Sequence, residues 1–201
     1  LHHLHRRQRQ MCIRDSPSKK WIFREPVVSD GDDIYGLIAD CPPLDMNSSY
    51  CNFLQSSHFS KTCILVEHKG EIAGFVSGYQ KPDEPNVLFI WQVAVAPRFR
   101  GNGLASQMLE RLLKREGLED INAIETTITK SNDASWALFK KLDAQHGNAG
   151  EVTTFLDEKD HFKGKHDTEY LYRIPLKYSP QVIPTKSVSY THLTLPTMEL
   201  V

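Results

Sequence analysis

The chain has 201 residues, long enough for one well-buried core and too short for two comfortable ones. Its 24 basic and 25 acidic side chains leave a formal charge of −1, which argues against generic binding to nucleic acid or a membrane surface. No apolar run approaches the roughly 18–20 residues of a spanning helix, and the first residues lack a secretory apolar stretch. Cys12, Cys41, Cys51 and Cys63 show no paired short spacing for zinc or a redox dithiol. They read as reduced thiols of a cytoplasmic protein with no metal site.

Residues 1–20 mix histidine, arginine, glutamine and serine without helical or strand period, and residues 178–201 scatter Pro180, Pro184 and Pro196 among threonines and serines. Both segments are expected to stay outside the fold, because neither buries enough apolar surface to offset its ordering entropy. Met11-Cys12-Ile13-Arg14-Asp15-Ser16 and residues 187–197 resemble translated sequencing-adaptor read-through, so the ends are expected to be non-native and dispensable. The histidines at 2, 3 and 5 receive no role.

Residues 21–177 read as one domain of alternating strands and helices. A short strand over 21–24 precedes a helix carrying Ile34, Leu37 and Ile38, for which Ser29 and Asp30 offer an N-cap and Cys41-Pro42-Pro43 a stop. A weaker helix over 47–58 sets Tyr50, Phe53 and Leu54 on one face. Strands over 62–66 and 72–79 meet at a hairpin turn around Lys69-Gly70. Residues 86–95 form the most apolar strand, with apolar residues on both faces, and therefore a central one. A helix over 103–117 carries Leu104, Met108, Leu109, Leu112 and Leu113, with Gly117 as its C-cap. A strand over 121–127, a helix over 132–142 and strands over 152–155 and 168–176 complete the domain. The order implies an α/β fold, a mixed sheet with helices on both faces.

Chemistry concentrates in Val93-Ala94-Val95-Ala96-Pro97-Arg98-Phe99-Arg100-Gly101-Asn102-Gly103-Leu104-Ala105, where a central strand ends, a basic loop turns at two glycines and a helix begins. Glycines admit positive φ, and the unsatisfied N–H groups of a first helical turn attract anions. A pyrophosphate fits such a cradle. A P-loop would need Lys-Ser or Lys-Thr where Leu104-Ala105 stands. A dinucleotide fingerprint would need its acid after the second strand, whereas Asp120 precedes that strand. What remains is Arg98-x-x-Gly101-x-Gly103, which resembles the acetyl-CoA loop of the GNAT superfamily. About 30 residues later, Asn132-Asp133-Ala134-Ser135-Trp136-Ala137-Leu138-Phe139-Lys140-Lys141 is similar to that superfamily's second CoA motif. The resemblance implies the GNAT acyltransferase fold and acetyl-CoA contacts from Val93, Val95, Arg98, Arg100, Gly101, Asn102, Gly103, Leu104, Ala105, Asn132, Ser135 and Phe139. Asn132 also reads as a plain helix cap and Phe139 as core. Many members carry tyrosine at the position of Phe139, where its hydroxyl protonates the departing thiolate; phenylalanine has no such proton.

Leu44-Asp45-Met46-Asn47-Ser48-Ser49-Tyr50, Phe89-Ile90-Trp91-Gln92-Val93 and His166-Asp167-Thr168-Glu169-Tyr170-Leu171-Tyr172-Arg173-Ile174 together resemble one GNAT family, the L-2,4-diaminobutyrate acetyltransferases of ectoine biosynthesis. That resemblance implies acetylation of the γ-amine of a small diamino acid, a homodimer, and a substrate pocket of Asp45, Tyr50, Trp91, His166 and Glu169. Two cationic amines need acceptors, and Asp45 and Glu169 are the natural pair. Asp45 also suits a helix cap, Glu169 a solvated strand, and Trp91 the core. An amine with a pKa near 10 must lose a proton before it attacks a thioester, so Glu169 is the expected base, with the Val93 N–H meeting the oxyanion. His161 and His166 are too loosely spaced for a metal. Another small-amine acetyltransferase, or a CoA-binding sensor without turnover, stays open; the missing tyrosine favours the sensor and the acidic-aromatic set favours the enzyme.

Overall fold

One mixed sheet organises residues 20–177, the part of the chain that the computed structural model describes. The expectations for the two ends, and for Cys12, lie outside the described residues. The strands are β1 (Ile22–Arg24), β2 (Ile64–His68), β3 (Glu71–Gln80), β4 (Val87–Val95), β5 (Ala123–Thr129), β6 (Glu151–Leu156) and β7 (Glu169–Pro175). They lie in the order β1-β2-β3-β4-β5-β7-β6, and only β4 and β5 pair in parallel. The β2–β3 turn takes φ of 53° at Lys69 and 80° at Gly70, the doubly left-handed pair that matches strand twist in a two-residue hairpin.

Helices cover both faces. Leu104, Met108, Leu109 and Leu112 of α3 (Leu104–Leu112) and Phe139 and Leu142 of α4 (Asp133–His146) pack on Leu88, Ile90, Ile124 and Ile128. On the other face, Ile34, Leu37 and Ile38 of α1 (Gly31–Ala39) pack on Leu65, Phe75 and Ala94. Each interface is a stripe at helical spacing set on alternate strand positions, and its apolar burial drives the layering.

The central strand does not alternate as its sequence suggests. Ser77 of β3 pairs with Gln92 and Gly78 pairs with Ile90, so Trp91 is an extra residue opposite no partner. Such a bulge exchanges the faces of all later residues. Leu88 and Ile90 before it, and Val93 and Val95 after it, therefore all belong to the α3 side, while Ala94 joins the α1 side. Trp91 itself is 47% exposed, not core.

All four α-helices also depart from expectation. α1 begins after a 3-10 turn, and Asp30 gives it no side-chain cap; its carboxylate takes the Val27 N–H at 2.6 Å and both Arg24 guanidinium nitrogens instead. α2 (Ser49–Gln55) is shorter than expected and turns a polar face inward: Asn52 and Gln55 are buried and bond each other at 3.0 Å, while Tyr50 is exposed. α3 stops at Leu112, five residues before Gly117. Arg115 carries its Nη1 to the carbonyls of Lys61 and Cys63, at 2.8 and 2.6 Å, which pulls the chain off the helical path. α4 runs four residues beyond Leu142 because buried Asp143 is held by the Tyr172 hydroxyl at 2.7 Å and the Gly150 N–H at 2.9 Å, and Gly147 closes it at φ 107°.

Below the bulge, Lys81, Glu84, Glu125 and Arg173 close a ring of ion pairs: Lys81 and Arg173 each meet both carboxylates, between 2.5 and 3.0 Å. Lys81 first, then Arg173, hold the Glu84 carboxyl down to about 2. A depressed carboxyl adds stability that is present above the unfolded carboxylate range and lost as pH falls through the folded value.

The bulge needs Gly78. A Cβ there would lie 2.7 Å from the Phe89 carbonyl oxygen and 3.3 Å from that of Thr62, both backbone. Gly78→Ala is therefore expected to lose about 1–3 kcal/mol of stability in urea unfolding; unchanged stability would show that the β3–β4 register yields freely.

Candidate active site

The parallel pairing of β4 and β5 lasts from Val87–Ile90 to Ala123–Thr126 and then ends. β4 continues to Val95 beside β3, and β5 continues to Thr129 beside β7. A wedge opens at the carboxyl ends of the two strands, where α3 and α4 begin, the place where open α/β sheets bind ligands. Ala96 donates its N–H to Ala73 of the β3 side. By the alternation of an antiparallel ladder, Val93 and Val95 turn their N–H and C=O groups away from β3 and toward the wedge. The Val95 carbonyl there accepts from the Arg100 Nε at 3.1 Å.

Arg98 to Ala105 form one wall. Asn102 Nδ2 donates to the Phe99 carbonyl at 2.8 Å, and Gln107 Nε2 donates to the Asn102 carbonyl at 3.1 Å, which fixes the loop. Gly101 and Gly103 have φ of 79° and 70°. A Cβ at Gly101 would meet no atom within 4 Å, and one at Gly103 only Gln107 Nε2 at 3.7 Å, so open space faces this loop. The first-turn N–H groups of Leu104 and Ala105 border it. A polyanion fits this cradle. The two guanidiniums are engaged elsewhere: Arg100 on the Val95 carbonyl, Arg98 in an ion pair with Glu71. Glu71 shares a concavity of ≈ 490 Å³ with Asp33 and Asp40, a carboxylate-rich lining that suits no phosphate.

Across the wedge, Asn132 caps α4 by accepting the Ser135 N–H at 3.1 Å. Phe139 is 2% exposed within the core. Cap and core roles thus hold at these positions, as they do for the buried Leu104 side chain.

The charged residues come from two segments far apart in the chain. Asp45 sits on the loop before α2, His166 on the connection from β6 to β7, and Glu169 at the start of β7. His166 Nε2 lies 3.2 Å from Asp45 Oδ2, and the Phe162 ring stacks on the imidazole at 5.0 Å. Burial lowers the His166 pKa, but the Asp45 charge, a backbone bond at Asp167 and Glu169 outweigh it, and the imidazole titrates above its ordinary range. Burial also pushes Glu169 above the usual carboxylate range, against a hydrogen bond from Thr127 and the pull of His166. Asp45, His166 and Glu169 thus form one charge-coupled group. Trp91 walls a cavity of ≈ 140 Å³ with Tyr79, Phe59 and Leu54, and Tyr50 is 70% exposed on α2. Among the described residues, no hydrogen bond joins these two aromatics to the charged group.

Two contributors escape sequence reasoning. Thr127 bonds Glu169. Gln92, 7% exposed, accepts from Asn47 Nδ2 at 2.9 Å and donates to the Asp45 carbonyl at 2.7 Å. A glutamine in an apolar strand, next to a residue pair drawn from the family motif, is the signal that marks it. Burial pushes the Cys63 thiol up to about 12 and raises Cys51, so neither is a ready thiolate.

A glycine-rich anion cradle beside a wedge, with an acidic group on neighbouring segments, is the arrangement of an acyl-CoA transferase site. The chain belongs to the Acetyltransferase (GNAT) family, whose family model matches residues 31–144. It is 78% identical to the L-2,4-diaminobutyric acid acetyltransferase of Vibrio parahaemolyticus over 165 residues, 82% of this chain and 91% of that protein. The enzyme of the same name from Vibrio cholerae is 60% identical, over 83% of this chain and 96% of that protein. The structure of diaminobutyrate acetyltransferase EctA from Paenibacillus lautus, in complex with its substrate L-2,4-diaminobutyric acid and coenzyme A, superposes with a TM-score of 0.75 at 36% identity, covering 78% of this chain and 95% of that one.

The Asp45–His166 contact predicts its own signature. In Asp45→Asn, the His166 imidazole should titrate at lower pH than in the wild type, by NMR of its ring protons. An unchanged midpoint would mean that the two groups do not pair in solution.

Proposed function

We infer that the protein transfers the acetyl group of acetyl-CoA to the γ-amine of L-2,4-diaminobutyrate, giving N4-acetyl-L-2,4-diaminobutyrate and CoA. The observation that carries this is the coupled Asp45–His166–Glu169 group, with Glu169 opposite Thr129 at the carboxyl end of β5, in a chain most of whose length resembles diaminobutyrate acetyltransferases. A non-catalytic CoA sensor has no need of paired amine acceptors.

In this reading the pyrophosphate of acetyl-CoA lies on the 101–105 segment, where first-turn N–H groups of α3 attract it. Arg98, Arg100, Asn102 and, across the wedge, the 132–139 segment complete the cofactor wall. Asp45 and Glu169 accept the two cationic amines, and Tyr50, Trp91 and His166 shape the cavity. The γ-amine passes its proton to Glu169, directly or through a water, and its nitrogen attacks the thioester carbonyl within a ternary complex. A C–N bond forms, the Val93 N–H meets the oxyanion, and collapse breaks the C–S bond. The thiolate leaves without a tyrosine donor, since Phe139 has no proton to give. The thiol ionisation pushed upward at Cys51 and Cys63 supports direct attack over an acyl-cysteine.

The same proposal takes residues 21–177 as the GNAT domain, in a cytoplasmic homodimer serving ectoine synthesis under osmotic stress. No helix among the described residues is long and apolar enough to cross a membrane. Val152 and Phe155, both 49% exposed on the edge strand β6, support association with a second copy.

Two experiments test the assignment. Gly101→Val places a β-branched residue at φ 79° with its side chain in the space given to the cofactor. Calorimetry should find acetyl-CoA affinity lost, and normal binding would remove the cradle from the mechanism. For the acceptors, a hydrogen bond to a charged group is worth about 1.5–3 kcal/mol. Asp45→Asn and Glu169→Gln should each lower kcat/KM for diaminobutyrate about ten- to a hundredfold, with acetyl-CoA affinity kept. A base acts only when deprotonated, and burial raises Glu169. The rise of activity with pH therefore falls above the usual carboxylate range in the wild type, and Glu169→Gln should lose that limb while the limb of the substrate amine remains. Wild-type kinetics in both variants would sink the pocket.

A further inference from the structure

Gln92 carries no role in the reaction as described so far, yet it ties the Asp45 loop to the central strand. It follows the bulge residue Trp91 and precedes Val93, whose N–H faces the wedge. Its side chain is 7% exposed, and both ends of its amide reach one loop: Oε1 accepts from Asn47 Nδ2 at 2.9 Å, and Nε2 donates to the Asp45 carbonyl oxygen at 2.7 Å. Most of that loop beyond Leu44 lies at the surface. Asp45, Met46 and Ser48 are exposed, with Met46 at 52%. An amide donates from one arm and accepts on the other, so it can hold two loop groups at once, and asparagine would be one methylene short.

We propose that Gln92 is a positioning residue for the diamino acid: by clamping residues 45–47 to the strand of the oxyanion donor, it sets the Asp45 carboxylate at its working distance from His166 and the wedge. It does not touch the substrate. The bulge is part of the device, because without the extra residue at Trp91 the side chain at 92 would turn to the α3 face and the loop would have no anchor. The proposal rests on the reading of Asp45 as an amine acceptor.

The test uses the full chain with Gln92→Leu, Gln92→Glu, Asn47→Ala and Asp45→Asn. Gln92→Leu keeps the volume and removes both bonds. It should raise KM for diaminobutyrate roughly ten- to a hundredfold, with KM for acetyl-CoA unchanged and kcat within about threefold. The His166 imidazole should titrate lower, as in Asp45→Asn, because the carboxylate has left it. Gln92→Glu keeps the acceptor for Asn47 but sets an oxygen against the Asp45 carbonyl, so it should not rescue. Asn47→Ala removes one bond from the loop side, without touching the strand, and should give an intermediate KM. Should Gln92→Leu fail to fold, Asn47→Ala decides: a wild-type KM there overturns the proposal. So does Gln92→Leu with a wild-type KM and unchanged His166 titration, or with both KM values and kcat worsened together, which marks general damage to the strand. If Asp45→Asn itself is wild-type-like, the acceptor reading fails and this proposal with it. If Asp45→Asn is impaired and Gln92→Leu is not, only the positioning role falls.

Discussion

β4 and β5 hydrogen-bond as a parallel pair as far as Ile90 and Thr126, after which β5 keeps antiparallel β7 as its neighbour and β4 keeps β3. The separation leaves strand backbone facing a cleft in place of a ladder partner, a cost that a folded chain accepts only where a ligand or solvent takes over the hydrogen bonding. The helices that follow the two strands both start at that cleft. The arrangement brings backbone N–H groups from a strand and from a helix terminus to one opening, without any side chain being asked to supply them. An acyl transfer that must hold a polyanionic carrier and stabilise an oxyanion draws on both.

Side chains enter the site from connections as well as from strands. Asp45 and His166 lie on connections, and only Glu169 and Trp91 sit on strands. Their charges are set against one another: burial raises the Glu169 pKa, while the Asp45 charge helps raise that of His166 against the burial of the ring. The difference between the two acids follows from their surroundings, one half-buried on a sheet and the other exposed on a loop.

The sequence made some of this legible and hid the rest for physical reasons. Arg98 to Ala105 could be read because glycine spacing and the onset of helical period are local signals, and the Lys69-Gly70 hairpin for the same cause. The bulge at Trp91 could not, since an extra residue in an unbroken apolar run leaves no compositional trace and alternation looks intact through it. The early end of α3 depends on Arg115 reaching carbonyls more than fifty residues away, and the extension of α4 on Tyr172 meeting Asp143. Such tertiary hydrogen bonds override local propensity. In the sequence only family resemblance links Asp45 with Glu169, because a contact such as Asp45–His166 has no spacing rule. Gln92 gives no sign of its role there, since a lone inward amide has the same appearance whether it fills a core or holds a loop.

The ring of Lys81, Glu84, Glu125 and Arg173 differs in one respect from the Arg98–Glu71 pair. Its hub, Glu125, has a side chain only 4% exposed, whereas Arg98 and Glu71 are 60% and 48% exposed. Dissolved ions shorten the reach of exposed charges from about 8 Å at physiological ionic strength to about 3 Å at 1 M, and screen contacts to a buried carboxylate less. Glu84 and Arg173, at 41% and 39% exposure, share the screening of the surface pair, but the bonds of Lys81 and Arg173 to Glu125 are shielded at one end. Rising salt therefore loosens Arg98 from Glu71 at the edge of the glycine loop before it loosens the grip on Glu125.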